Sequence, residues 1–319
     1  MTSVRRGWLH VGAPLAVVLL LVAFARQVDW HAAASAVRDA DPVLLIAALV
    51  LNQLSLALKG VRWWVFLRPL GVRSLSLVVR ATFAGASLNN LVVAQGGEGA
   101  RVLLVSRASG VSSTRVAGAL ALERALDAVS YLTLLAGATL LLEMPDALLD
   151  WRIEACVALA FAVLALTVLG IVGRSTTPGF AFAPDARAMG RVQLHLRRFV
   201  ASVAESGSPA RLATGMLLSL GAWGLQVATY HSIALAAHVP IPLAGSVAAL
   251  LAIGISFLIR ATPGNVGVFQ VIYAVTVASF GIARGPAVAT ALLIQTIQVL
   301  PTVLIGTIVG HGLVRRVER

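Results

Sequence analysis

Long uncharged apolar windows alternate with short polar connectors along this chain, as in Leu15–Phe24, Pro42–Leu58 and Ala155–Ile171. A hydrocarbon core about 30 Å thick is crossed by roughly 20 apolar helical residues. Windows of this kind predict spans near 8–26, 43–66, 116–142, 155–173, 212–237, 243–260, 264–281 and 287–312. The predicted fold class is all-α, a polytopic membrane helix bundle of about eight spans. It is expected to form one domain over 1–319. Two segments, 75–98 and 254–270, keep the apolar character but are interrupted by glycine, amides or proline.

Composition sharpens this picture. Only 12% of the residues are charged, against about a quarter in soluble domains. The net charge of +12 would suit a nucleic-acid partner, but the basic residues have another cause. Most sit between apolar windows: Arg5 and Arg6; Lys59, Arg62, Arg68 and Arg73; Arg174, Arg187, Arg191, Arg197, Arg198 and Arg211; Arg315, Arg316 and Arg319. The intervening connectors are acidic, with Asp29, Asp39 and Asp41 in one and Glu143, Asp146, Asp150 and Glu154 in another. The positive-inside bias then puts both termini in the cytoplasm and the chain in the cell membrane. No nucleic-acid partner is expected. The N-terminus, with Ala23-Phe24-Ala25 after an apolar core, has the form of a cleavable signal, but in a multi-span chain it is expected to stay as the first span.

The same bias places Arg73, Arg101, Arg107 and Arg115 on one side. The intervening segment, with Gly85, Ser87, Asn89, Asn90, Gly96, Gly97 and Gly99, is then expected to enter and leave the membrane on that side as a re-entrant broken helix. Non-helical backbone at that depth needs protein or a water-filled cavity around it. The alternative is an ordinary span followed by a long outside loop. In the polar stretch 174–210, Met189, Val192, Leu196 and Phe199 recur at helical spacing between Arg191, Arg197 and Arg198. That pattern predicts an amphipathic helix on the inner membrane surface, or one packed on the other spans.

Several chemistries find no support. The six histidines, His10, His31, His195, His231, His238 and His311, lack metal-ligand spacing. The single cysteine, Cys156, has no partner for a disulfide or a metal site. There is no phosphate-binding P-loop. Asp39-Ala40-Asp41 has the Asp-x-Asp form of metal-dependent glycosyltransferases, but it lies in a short connector without a nucleotide-binding fold. Gly306 and Gly310 form a Gly-x-x-x-Gly, read as a helix-packing feature. No metal, no cofactor and no enzymatic activity are therefore expected.

Ionisable groups in apolar surroundings carry the positive signal. One cluster is Gln95-Gly96-Gly97-Glu98-Gly99-Ala100-Arg101, and the other is Glu123-Arg124-Ala125-Leu126-Asp127. A charge central in a span costs at least about 2.5 kcal/mol, so such groups pair or line a cavity. Glu98 with Arg101, and Arg124 with Asp127, have the three-residue spacing of helical partners. Glu123 and Asp127 share a face and repel unless an arginine lies between them; Arg101 and Arg124 are the nearest in sequence. Either these charges only neutralise one another and pin helices, or they form a site. A third element runs through Arg260, Pro263, Gly264, Asn265, Gly267 and Gln270. Each half of the chain thus has one interrupted segment beside charged residues, the pattern of a transporter's binding site built on an inverted repeat. Amides freed at such breaks can meet a phosphate.

These residues resemble a known family. The glycine-flanked Glu98-x-x-Arg101, followed by Glu123-Arg124-x-x-Asp127, is similar to the paired motifs of the lysylphosphatidylglycerol synthase/flippase transmembrane family. Pro263-Gly264-Asn265-Val266-Gly267-Val268-Phe269 resembles its second glycine motif, and the likeness runs from about residue 10 to 312. Two positions depart from the family pattern. Gln270 stands where a glutamate is usual, and Gln295 where an arginine is usual. If those two groups pair, a matched pair of amides has replaced a matched pair of charges, which puts in doubt any mechanism needing charge there.

The resemblance implies lipid translocation between leaflets, without the cytosolic aminoacyl-transferase domain of the bifunctional members. The expected partners are membrane lipids with an anionic or lipid-linked headgroup. The expected substrate-binding residues are Asn90, Gly96, Gly97, Glu98, Arg101, Glu123, Arg124, Asp127, Arg260, Pro263, Gly264, Asn265, Gly267, Gln270 and Gln295, with the five charged groups from Glu98 to Asp127 facing the second break. Two rival functions are a membrane-embedded transferase acting on a lipid-linked sugar and a non-transporting scaffold for a partner enzyme.

Overall fold

The computed structural model describes residues 26, 30–91, 96–144, 149–150, 152–175, 202–203, 205–256 and 265–317. Regular structure among them is entirely helical. The helices are α1 (Trp30–Arg38), α2 (Pro42–Leu67), α3 (Leu75–Leu91), α4 (Gly96–Ser109), α5 (Ser113–Leu141), α6 (Arg152–Ser175), α7 (Pro209–Ala236), α8 (Leu243–Ser256), α9 (Val268–Ala278) and α10 (Arg284–Val317). The expected first span at 8–26 and most of the 174–210 loop lie outside the described residues.

Among the described residues, four stretches are long and apolar enough to cross a membrane: Pro42–Leu70, Ser113–Leu141, Pro209–Ala236 and Arg284–Leu313. At 1.5 Å per residue each is about 42–45 Å long, which carries it through the hydrocarbon and headgroup layers. Their outer faces are apolar. Leu300, Leu304 and Ile308 lie four residues apart on α10 and are 64%, 64% and 65% exposed, while charged Arg62 and Glu123 are buried. This distribution fits a lipid solvent, and the chain is a multi-pass membrane protein.

Local chemistry explains the start and stop of α2. The Asp41 carboxylate accepts hydrogen bonds from the Val43 and Leu44 amides at 2.8 and 3.4 Å. Pro42 occupies the first helical position, where its missing N–H is no loss. Asp41 of the Asp-x-Asp sequence is therefore a helix cap. At the other end, a 3₁₀ turn over Arg68–Leu70 closes on Gly71 at φ 106°, a conformation that favours glycine.

The chain forms two units. The first contains the described residues up to Leu51, Asn90, Leu91 and Val227–Leu300. In it α8 packs on α9, and Tyr230 stacks at a tilt against Phe269 and Tyr273 with centroids 6.4 and 6.5 Å away. The sequence pattern predicts full spans at 243–260 and 264–281. The described part of the first is α8, 14 residues, and α9 has 11 residues. At about 16 Å, α9 falls short of the hydrocarbon thickness. Residues 257–264 between them lie outside the description.

The second unit contains Asn52–Asn89, the described part of Gln95–Gln226 and Pro301 onward. Its α3 and α4 form an antiparallel hairpin, as three contacts show. The Asn89 Oδ1 accepts from the Gly97 amide at 2.9 Å, Gly85 lies against Gly97 and Arg101, and Thr82 reaches the Arg101 guanidinium. The crossing is so close that a Cβ on Gly97 would collide with the Gly85 carbonyl oxygen. Neither arm, at about 25 and 21 Å, spans the bilayer alone. Against the hairpin arm α4, which contributes Val105, the residues Trp63, Phe66, Leu122 and Leu126 complete an apolar core. Gly306 lies on the backbone of Phe83, and Gly310 faces Ala84, so the Gly-x-x-x-Gly of α10 is a packing seam.

Candidate functional site

Six charged side chains converge in the second unit from α2, α4 and α5. At the centre is Glu123, 1% exposed, between two guanidinium groups. Arg62 Nη2 lies 3.1 Å from Glu123 Oε1, and Arg101 Nη2 donates to Glu123 Oε2 at 2.9 Å. Arg62 also donates through Nη1 to Asp127 Oδ1 and to Ser219 Oγ of α7, both at 2.6 Å. Arg101 lies over the buried Trp63 ring, its guanidinium carbon 4.3 Å from the ring centroid, a cation–π contact strengthened by the absence of water. A single buried charge would be costly; three arginines and three carboxylates, interleaved, cancel.

The cluster opens outward. Glu98 bridges Arg101 at 3.2 Å and Arg124 at 3.1 Å. Arg124 also contacts Asp127 at 3.3 Å and Glu123 at 3.3 Å. Exposure rises from 0% at Arg62 and 1% at Glu123 to 21% at Asp127, 24% at Glu98 and 53% at Arg124. One end of the network is thus sealed and the other meets the surroundings.

The structure brings together all five ionisable residues that the two motifs single out. The glycines have unequal roles. Gly97 is wedged in the hairpin, whereas added Cβ atoms at Gly96 and Gly99 would meet nothing within 4 Å. The charge grouping counts Arg62 with the connector after the second span although the predicted span 43–66 includes it; the structure places it inside α2, fully buried. The apolar run Trp63–Leu67 after it is the signal that the span continues. Lys59, one turn earlier, is also inside α2, with its ammonium 6.0 Å from the Trp223 ring centroid. Ser219 and Thr82, which add to the arginine coordination, carry no sequence signal that separates them from other small polar residues in spans.

The second motif lies in the other unit. Asn265 and Gly267 both adopt positive φ, 59° and 85°, just before α9. The Gly267 amide donates to Gln270 Oε1 at 2.6 Å, and Gln270 Nε2 donates to Gln295 Oε1 at 2.5 Å. Gln270 therefore caps the helix with one end of its amide and ties α9 to α10 with the other. Asn90 belongs to this unit as well. Arg260, Pro263 and Gly264, and with them the expected approach of the charged cluster to the second break, lie outside the described residues. No group of three metal-ligating side chains occurs among the described residues.

Comparison with known proteins agrees with the motifs. The model of a family described as the lysylphosphatidylglycerol synthase TM region matches residues 11–306. The chain is also similar to Glycosyltransferase AglD of Haloferax volcanii, with 26% identity over 334 aligned positions. That alignment covers 93% of this chain and 53% of the relative, so the chain spans about half the length of the curated protein it matches.

Proposed function

We propose that this chain, which belongs to the lysylphosphatidylglycerol synthase TM-region family, passes a lipid headgroup between leaflets along the charged cluster while the acyl chains stay in the bilayer. The family and the relative support a membrane protein of lipid- or glycan-related processes. The observation that carries the step to translocation is the graded exposure of a balanced network. A phosphate entering from the open end meets Arg124 first. Glu98 and Asp127, both partly exposed, can release Arg124 and take water in exchange. Glu123 stays paired to Arg62 and Arg101, so the buried part need not ionise or break. A phosphate replaces the carboxylates with equally charge-assisted hydrogen bonds. On this reading the chain is a carrier rather than a catalyst, the α3–α4 hairpin is re-entrant, and the ligand is an anionic or lipid-linked headgroup at the cell membrane.

Reconstituted vesicles holding a labelled phosphatidylglycerol test this directly. Arg124→Gln should keep its melting temperature and slow headgroup movement about tenfold, near the ~1.5 kcal/mol of one charge-assisted hydrogen bond. A folded Arg124→Gln protein moving lipid at the wild-type rate would refute the proposal. The name of the Haloferax relative supports a second reading, service to a lipid-linked sugar. Sugar transfer without headgroup movement in the same vesicles would favour a transferase. Copurification of a stoichiometric enzyme, with neither activity in the chain alone, would favour a scaffold.

A further inference from the structure

A second basic feature of the same unit shares no residue with the charged cluster. At the end of the first long span, Trp64, Val65, Arg68 and Pro69 line an open pocket together with Arg211 from the first turn of α7. Both spans end here, Pro42–Leu70 at its C-terminus and Pro209–Ala236 at its N-terminus. Helices of 28–29 residues are longer than the hydrocarbon core, so their ends lie at headgroup level. The pocket therefore opens where lipid phosphates are.

Neither of its guanidinium groups is in a contact ion pair among the described residues, although the Glu205 carboxylate acts on Arg211 from a distance. Arg211 Nε donates to the Ser206 carbonyl at 2.8 Å and Nη2 to the Glu205 carbonyl at 2.5 Å. Two of its five N–H groups are thereby fixed, which holds the fork in place and leaves three for a ligand. The nearby Glu205 carboxylate is taken by Arg115 at 2.5 Å. Arg68 is exposed, and its guanidinium carbon stands 5.4 Å from the centroid of the Trp64 ring. That ring is itself fixed, its Nε1 donating to the Arg73 carbonyl at 3.2 Å. One cation is thus anchored by backbone carbonyls and the other is placed by an aromatic face. Interfacial tryptophan and arginine alone would only anchor a helix. Here two oriented guanidinium groups line one concavity, and the fork of each matches a phosphate bidentately.

We propose that this pocket binds the phosphate of an anionic phospholipid as a resident lipid site. The test uses the purified full chain in detergent, titrated with phosphatidylglycerol or phosphatidylcholine, with retained lipid counted by native mass spectrometry. Phosphatidylglycerol should be retained preferentially. Arg68→Gln should lower its retention about fivefold, the effect of one basic group at an anionic headgroup, and Arg68→Lys should lower it less. Arg107→Gln, exposed and outside the pocket, should leave retention unchanged. Equal losses in Arg68→Gln and Arg107→Gln would mean diffuse attraction and would overturn the proposal. So would undiminished retention in folded Arg68→Gln, or displacement of the lipid by inorganic phosphate, which would make the pocket a free-anion site. If Arg68→Gln lowers the melting temperature, the Arg68→Lys comparison decides, because both variants lose the guanidinium stack on Trp64 but only one loses the charge.

Discussion

Gln270 donates from Nε2 to Gln295 Oε1 at 2.5 Å, joining α9 to α10 across 25 residues of sequence. Its own Oε1 accepts from the Gly267 amide. An amide suits both duties because it offers a donor and an acceptor at once. Both residues are buried, 6% and 8% exposed, so a charge at either position would need a charged partner.

That arrangement predicts a compensating double mutant. Gln270→Glu and Gln295→Arg should each cost about 3 kcal/mol, the scale of a buried charge without a partner. The double variant should recover at least about 1 kcal/mol as coupling between neighbours. Thermal melts in detergent, completed as a double-mutant cycle, give the coupling directly. A double variant no better than the worse single would show that the site cannot hold an ion pair.

The hairpin glycines make a sharper contrast. Gly97→Ala places a methyl against the Gly85 backbone oxygen and the Asn89 amide, and the backbone oxygen cannot move away within a packed helix pair. It should destabilise by about 1–3 kcal/mol. Gly99→Ala, in open space on the same helix, should be neutral or stabilise by about 0.5–1 kcal/mol. Melting temperatures of the two variants check this; equal effects would contradict the close crossing.

Arg62 and Arg124 should respond in different ways. Arg62→Met leaves Glu123 short of one partner in a dry site and removes the 2.6 Å contacts to Asp127 and Ser219. Stability should fall by about 3–5 kcal/mol. Arg124, 53% exposed, should tolerate Arg124→Gln with little change in melting. Finding both variants equally unstable would show that the open end of the network is structural too.

Re-entry of the α3–α4 hairpin predicts that Arg73 and Arg107 face the same side of the membrane. Single cysteines at these positions in a Cys156→Ser background should both react with an impermeant thiol reagent applied from one side. Reaction from opposite sides would replace the re-entrant hairpin with a crossing.

How the sequence and the tertiary structure share the determination of this molecule follows from the range of the forces involved. Apolar runs of about 20 residues mark spans by themselves, because a helix in lipid satisfies its own backbone. Helical spacing within one segment likewise makes the Glu98–Arg101 and Arg124–Asp127 pairs readable, since partners three residues apart share a face. The wedge of Gly97 rather than Gly96 or Gly99 depends on which surfaces meet. The largest example is Arg62. Its partners Glu123, Asp127 and Ser219 lie 61 to 157 residues away, and its position resembles that of any basic residue near the end of a span. Only packing α2 against α5 and α7 removes it from water, and that desolvation turns a topogenic charge into the closed end of the ion network.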